Sequence, residues 1–238
     1  MRKPPVPFTY KVVVAILAPI ATLLTRKTWR GRENLPASGG YVVAANHLSN
    51  LDFLAVIKLL AWWARPPQVL AKESLFRAPV VGAAMRGMGM IPVHRGTAQA
   101  AKALAGGAAV IRAGGLVLVY PEGTVTRDPN LWPMAGRPGA VRLALDTGCP
   151  LVPLAQWGAQ RILPYRTKRL HVFPPTKVAL QIGPPIDLSD LAAWEDRAAA
   201  ARAGTERLMT ALTAMVGELR GETPPGEPYN QFAARGGA

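Results

Sequence analysis

The chain has 238 residues, half of them hydrophobic, with 28 Lys and Arg against 14 Asp and Glu and a formal net charge of +14. That length suits one α/β domain with a sizeable core, and that charge favours a polyanionic partner such as an anionic bilayer or a phosphorylated substrate. Cys149, the only cysteine, excludes an intramolecular disulfide and argues against a cysteine metal site, while the few aromatics and the absence of RNA-binding patterns set nucleic acid aside.

The amino end carries Arg2, Lys3 and Lys11, then an apolar run over residues 12–24 interrupted by Pro19, then Arg26, Lys27, Arg30 and Arg32. A helix of that length is roughly 20 Å long, short of the ~30 Å hydrocarbon core. Basic flanks around a short greasy segment predict a helix lying in a membrane interface, and residues 1–32 are read as that segment. Six apolar runs then read as strands: 40–45, 68–71, 90–93, 116–120, 151–155 and 178–182. Most are continuous rather than alternating, as in strands buried on both faces. Helical stretches fall between and after them at 53–64, 97–113, 139–147 and 189–220. In the last, Leu208, Leu212, Met215 and Leu219 repeat at helical spacing and form a packing stripe. The alternation predicts an α/β fold, a largely parallel mixed central sheet flanked by helices, over residues 33–220. The Pro- and Gly-rich residues 221–238 read as a disordered tail.

The segment NHLSNLD follows a strand and precedes a helix, where α/β folds place functional groups. His47 and Asp52 are five positions apart, which in a straight helix would turn them nearly to opposite faces. They can pair only if the residues between them form a turn, for which Ser49 and Asn50 are suited. Asp52 would then accept from one imidazole nitrogen and fix the tautomer, leaving the other to take a proton from an alcohol. No serine in a nucleophile-elbow pattern accompanies the pair, so it suits direct attack by a substrate hydroxyl. Taken in isolation, the same residues read better as a capping or packing histidine and a helix-start carboxylate. The other histidines read differently: His94 adjoins Arg95 at a strand end, and His171 sits in a basic surface stretch. No metal-ligand cluster is visible.

NHLSNLD resembles the NHxxxxD signature of the glycerolipid acyltransferase family, which includes 1-acylglycerol-3-phosphate acyltransferases. AKESLF (71–76), GMIPVHR (ending at Arg95), YPEGTVTR (120–127) and LVPLAQWG (151–158) resemble that family's later segments, in the same order. The resemblance implies transfer of an acyl group from acyl-CoA or acyl carrier protein to the free hydroxyl of a lysophospholipid, with no metal or prosthetic group. It implies His47 as general base and Asp52 as its orienting partner. Lys72, Arg95, Gly123, Thr124 and Arg127 would hold the acceptor's phosphate end, and Glu122 a neighbouring basic group or the acceptor hydroxyls. The basic flanks of the amino-terminal segment, with acyl thioesters made in the cytoplasm, predict a peripheral or monotopic protein on the cytoplasmic face of the cell membrane. The chain departs from the family's FPEGTRS at Val125, where arginine is usual. That departure leaves open another acceptor: glycerol 3-phosphate, a glycolipid or an aminolipid. A non-catalytic membrane-surface binding protein is the reading from outside enzymes.

Overall fold

The computed structural model describes residues 5–94, 100–165, 167 and 169–230. The chain opens with α1 (Phe8–Leu24), which runs directly into β1 (Thr25–Arg30). There follow β2 (Tyr41–Ala45), α2 (Asp52–Trp63), β3 (Gln68–Lys72), α3 (Pro79–Gly87), β4 (Ile91–Val93), α4 (Ala100–Arg112) and β5 (Leu116–Val119). The carboxyl half holds α5 (Gly139–Thr147), β6 (Leu151–Trp157), α6 (Ala159–Ile162), β7 (Thr176–Ile182), α7 (Ser189–Ala192) and α8 (Arg197–Arg220). Among the described residues the strands form one seven-stranded sheet in the order β1-β7-β6-β2-β5-β3-β4. Every pairing is parallel except β6 with β7.

Strand β2 shows why the apolar runs are continuous. Its five residues are fully buried because both faces are covered. Tyr41, Val43 and Ala45 pack with Val56, Leu59 and Leu60 of α2 and with Tyr10 of α1. Val42 and Ala44 pack on the opposite face with Ala108 and Ile111 of α4, Val141 and Ala144 of α5, and Leu208 and Leu212 of α8. The two-residue alternation of a strand distributes one apolar run between two helix layers. The α8 stripe is thus a packing face, as its spacing predicts.

The sheet also fixes where a site can form. The chain leaves β2 toward α2 on one face, whereas from the adjacent β5 it leads to α5 on the other. Loops diverging to opposite faces open a crevice at the carboxyl ends of these two neighbours. His47 follows β2 and Glu122 follows β5, so both stand at that crevice.

The structure departs from the sequence expectations in several places. Thr25–Arg30, expected as a basic flank of the amino-terminal segment, is an edge strand pairing with β7 from Thr25↔Thr176 to Arg30↔Gln181. Its four basic and hydroxyl-bearing exposed positions mask the strand signal, and such charge is what keeps an edge from pairing further. The helix α1 starts at Phe8 and continues through Pro19. Helix α3, absent from the sequence reading, is short and starts with proline at its first position. The helix expected over 189–220 is two helices, because Asp196 caps a fresh start: its side chain accepts from the N–H groups of Ala198 and Ala199, each at 2.9 Å. The segment 221–230, expected as part of a disordered tail, returns to the domain, where the N–H of Ala135 donates to the carbonyl of Tyr229 at 3.0 Å. Residues 231–238 lie outside the described residues.

Candidate active site

The residues between β2 and α2 form a turn, as pairing of His47 with Asp52 requires. Asn46 anchors its start. Its side-chain oxygen accepts from the N–H of Gln156 at 2.8 Å, its amide donates to the Gln156 carbonyl at 3.2 Å, and its own carbonyl accepts from Gln156 Nε2 at 2.6 Å. Asn46 and Gln156 are both fully buried, so this exchange locks the ends of β2 and β6 together in a dry setting. Ser49 holds the middle: its hydroxyl donates to the Leu163 carbonyl at 2.8 Å and accepts from the N–H of Leu51 at 3.2 Å.

Asp52 closes the turn on itself. Oδ2 accepts from the N–H of Leu48 at 2.7 Å and of Ser49 at 3.1 Å, and lies 2.9 Å from His47 Nδ1. A carboxylate oxygen already taking two amide protons is an acceptor, so Nδ1 carries the proton and donates. The imidazole lone pair then lies on Nε2. Asp52 is fully buried, whereas 18% of the His47 side chain is exposed, so of the two only the histidine reaches the surface.

Glu122 sits behind the pair. Oε1 accepts from the N–H of His47 at 2.8 Å and Oε2 from the N–H of Met134 at 3.1 Å. The residue is 1% exposed, and burial raises its pKa to about 8 against the pull of those amides. Beside the basic neighbour or acceptor hydroxyls that sequence reasoning gives it, Glu122 takes these two backbone donors, one of them the amide of His47. The loop around it is stapled further: the N–H of Thr126 donates to the His47 carbonyl at 2.8 Å, and that of Gly123 to the Tyr120 carbonyl at 2.9 Å. Gly123 has φ 72°, a left-handed conformation that a side chain would strain. The Tyr120 ring lies against the imidazole, centroids 4.4 Å apart.

The cationic residues are more spread. Lys72 is exposed at the end of β3, opposite Val93 of β4. By register through β5 it stands at the same sheet edge as Glu122 and His47. Thr124 is half-buried in the loop. Arg127 is exposed and lines a cavity of about 480 Å³ with Thr126, Asp128, Gln160, Tyr165 and Tyr229. Arg95 lies outside the described residues. Val125, where the family pattern has arginine, is 3% exposed and turned into the core. Among the described residues no cluster of three or more His, Cys, Asp or Glu is gathered as a metal would need. Cys149 is half-buried, and burial raises its thiol pKa. Sequence reasoning missed Gln156 and Tyr120 as site residues. Both lie inside motif segments, but their partners are reached only through the sheet.

The sequence profile of a family described as Acyltransferase matches residues 26–157, more than half of the chain. The chain belongs to the acyltransferase family. The matched span runs from β1 to the end of β6 and contains the whole turn and the PEGT loop. The chain is 33% identical over 137 residues to a chloroplastic 1-acyl-sn-glycerol-3-phosphate acyltransferase, BAT2, of Brassica napus, covering 57% of this chain but only 38% of that protein. Against the 1-acyl-sn-glycerol-3-phosphate acyltransferase of Bacillus subtilis it is 29% identical over 185 residues, 77% of this chain and 85% of that one. Its fold is similar to the crystal structure of the 1-acyl-sn-glycerophosphate (LPA) acyltransferase PlsC from Thermotoga maritima, with a TM-score of 0.64, 22% identity, and 90% and 83% of the two chains covered.

Proposed function

We propose that this acyltransferase moves an acyl group from an acyl-CoA or acyl carrier protein thioester to the free hydroxyl of lysophosphatidic acid, forming phosphatidic acid. The observation that carries the reading is the His47–Asp52 pair, with Nδ1 held at 2.9 Å from a buried carboxylate at the sheet's crevice. His47 Nε2 takes the proton of the acceptor hydroxyl as its oxygen attacks the thioester carbonyl. The tetrahedral intermediate collapses, the C–S bond breaks, and the imidazolium returns the proton to the thiolate. Asp52 stabilises the imidazolium and keeps the tautomer throughout. No metal or prosthetic group is called on. Lys72, Arg95 and Arg127, with Gly123 and Thr124, bind the acceptor's phosphate. The relatives' names support this acceptor.

The work takes place on an anionic membrane surface, at the cytoplasmic face, where acyl thioesters are made. Supporting this, α1 leaves Phe8, Ile16, Ile20 and Leu23 half or more exposed along one side. Among the described residues no helix is long and apolar enough to cross a bilayer. An interfacial position suits α1, whose 17 residues reach about 26 Å.

Val125 favours a second reading, the same chemistry on another acceptor: glycerol 3-phosphate, a glycolipid or an aminolipid. A buried valine cannot pair with phosphate, so the headgroup contact falls to fewer cations. The deciding experiment offers one acyl-CoA with a panel of acceptors to the wild type and to His47→Ala. Acyl transfer to lysophosphatidic acid above the other acceptors, lost by at least a thousandfold in the variant, is the expected result. Near-normal transfer by His47→Ala would refute the mechanism, and preference for another acceptor would establish the second reading.

A further inference from the structure

Asp52 is unevenly satisfied. Oδ2 takes three donors, whereas Oδ1 is buried with no hydrogen-bond partner among the described residues. A carboxylate oxygen left bare in a dry setting is costly, since its charge has lost water without replacement. The Tyr120 hydroxyl is buried and without a partner in the same way. The two belong to one place: Tyr120 stacks on the imidazole that Asp52 holds, and the carboxylate's charge, after burial itself, raises the tyrosine's pKa. A buried donor that keeps its proton and a buried acceptor that lacks one thus lie beside the same imidazole.

We propose that Tyr120 is a positioning residue for the His47–Asp52 pair, its hydroxyl donating to Asp52 Oδ1 and so setting the basicity of His47. The inference rests on His47 acting as the base but concerns a residue given no role by the motif resemblance. There the corresponding residue is phenylalanine, so the hydroxyl is an addition of this chain with the ring retained. A donor on Oδ1 draws negative charge away from Oδ2 and weakens the pull on Nδ1–H. The imidazolium is then less stabilised, and Nε2 is free of its proton at lower pH. Among the described residues, the groups that bear on the imidazole include Asp52 from α2 and Tyr120 and Glu122 from the end of β5. The hydroxyl acts on it through Asp52, whereas Glu122 holds its backbone.

The test is an NMR titration of 15N-histidine-labelled protein, with His47 assigned by loss of its signal in His47→Ala. Wild type is compared with Tyr120→Phe, which keeps the ring. Phenylalanine should raise the His47 pKa by about half a unit. In an Asp52→Asn background, the same change should leave it unmoved, because the path through the carboxylate is gone. No shift in Tyr120→Phe overturns the proposal, and so does an equal shift in both backgrounds. If Asp52→Asn fails to fold, the acid limb of kcat/KM in Tyr120→Phe serves instead: it should move up with an unchanged acceptor KM, and an unmoved limb also overturns the proposal. The NMR readout needs no substrate, so a wrong acceptor in the preceding section would leave its outcome intact.

Discussion

Glu122 illustrates how a residue's type can be legible while its task is not. The PEGT segment marks it as important, but does not show that its oxygens accept from two backbone amides, of His47 and Met134. Neither is near it in sequence. Both oxygens accept, so Glu122→Gln, although nearly the same shape, turns a donor group toward one of those N–H groups. The expected cost is roughly 1–3 kcal/mol, from one unmet buried amide. The pH dependence has a definite sign. In the folded state the carboxyl keeps its proton up to about 8, whereas the unfolded chain releases it near the ordinary glutamate value. The folded state therefore binds more protons between those limits, and stability falls as pH rises through that window. Urea unfolding at several pH values should show wild type losing stability relative to Glu122→Gln from about pH 5 to 8. Parallel curves would mean that Glu122 titrates as an ordinary carboxylate. His47 and Asp52 were the readable part of the site, because a turn of fixed length carries both. Asn46–Gln156 and the Tyr120–His47 ring contact were not readable, because each joins residues that follow or lie in different strands.

At the level of elements, six of the seven strands announce themselves as apolar runs, most plainly β2 and β5, where burial on both faces leaves every position apolar. Strand β1 does not, because its exposed positions carry charge, whereas β4 at the opposite edge keeps an apolar run. The helices were legible where an apolar stripe ran long. The restart at α8 was hidden because a capping aspartate looks like any surface carboxylate. Asp196 is exposed, yet it satisfies two amides at the start of a 24-residue helix. Asp196→Ala should lower stability by about 0.5–2 kcal/mol in chemical unfolding, with acyl transfer at saturating substrate unchanged. No change in the unfolding midpoint would show the cap to be dispensable. Helix α1 is bound to the domain at several points: Tyr10 is buried beneath it, and Lys58 of α2 donates to the Ala18 carbonyl at 3.0 Å and to the Thr22 hydroxyl. A truncation there would disturb the fold along with any membrane contact.

For the whole molecule, the proposed membrane face should therefore be probed by substitution. Ile16 and Ile20 are 59% and 50% exposed on the outer side of α1. Replacing both with glutamate removes apolar area and adds charge repelled by an anionic bilayer. Binding to anionic vesicles in a sedimentation assay should fall at least tenfold, since each buried isoleucine contributes about 1.5–3 kcal/mol, with the unfolding midpoint retained. Unchanged binding would move the contact to another surface. The sequence by itself determined the alternation of strands and helices, the net positive charge, and the two residues of the proposed chemistry, all properties of local pattern or of a short fixed spacing. The tertiary structure alone decided that the β2 and β5 loops meet, that Glu122 accepts from the His47 amide, that Val125 points into the core, and that the Tyr120 ring lies against the imidazole. Each of these depends on strand order and register, which bring distant segments together and which no local spacing encodes.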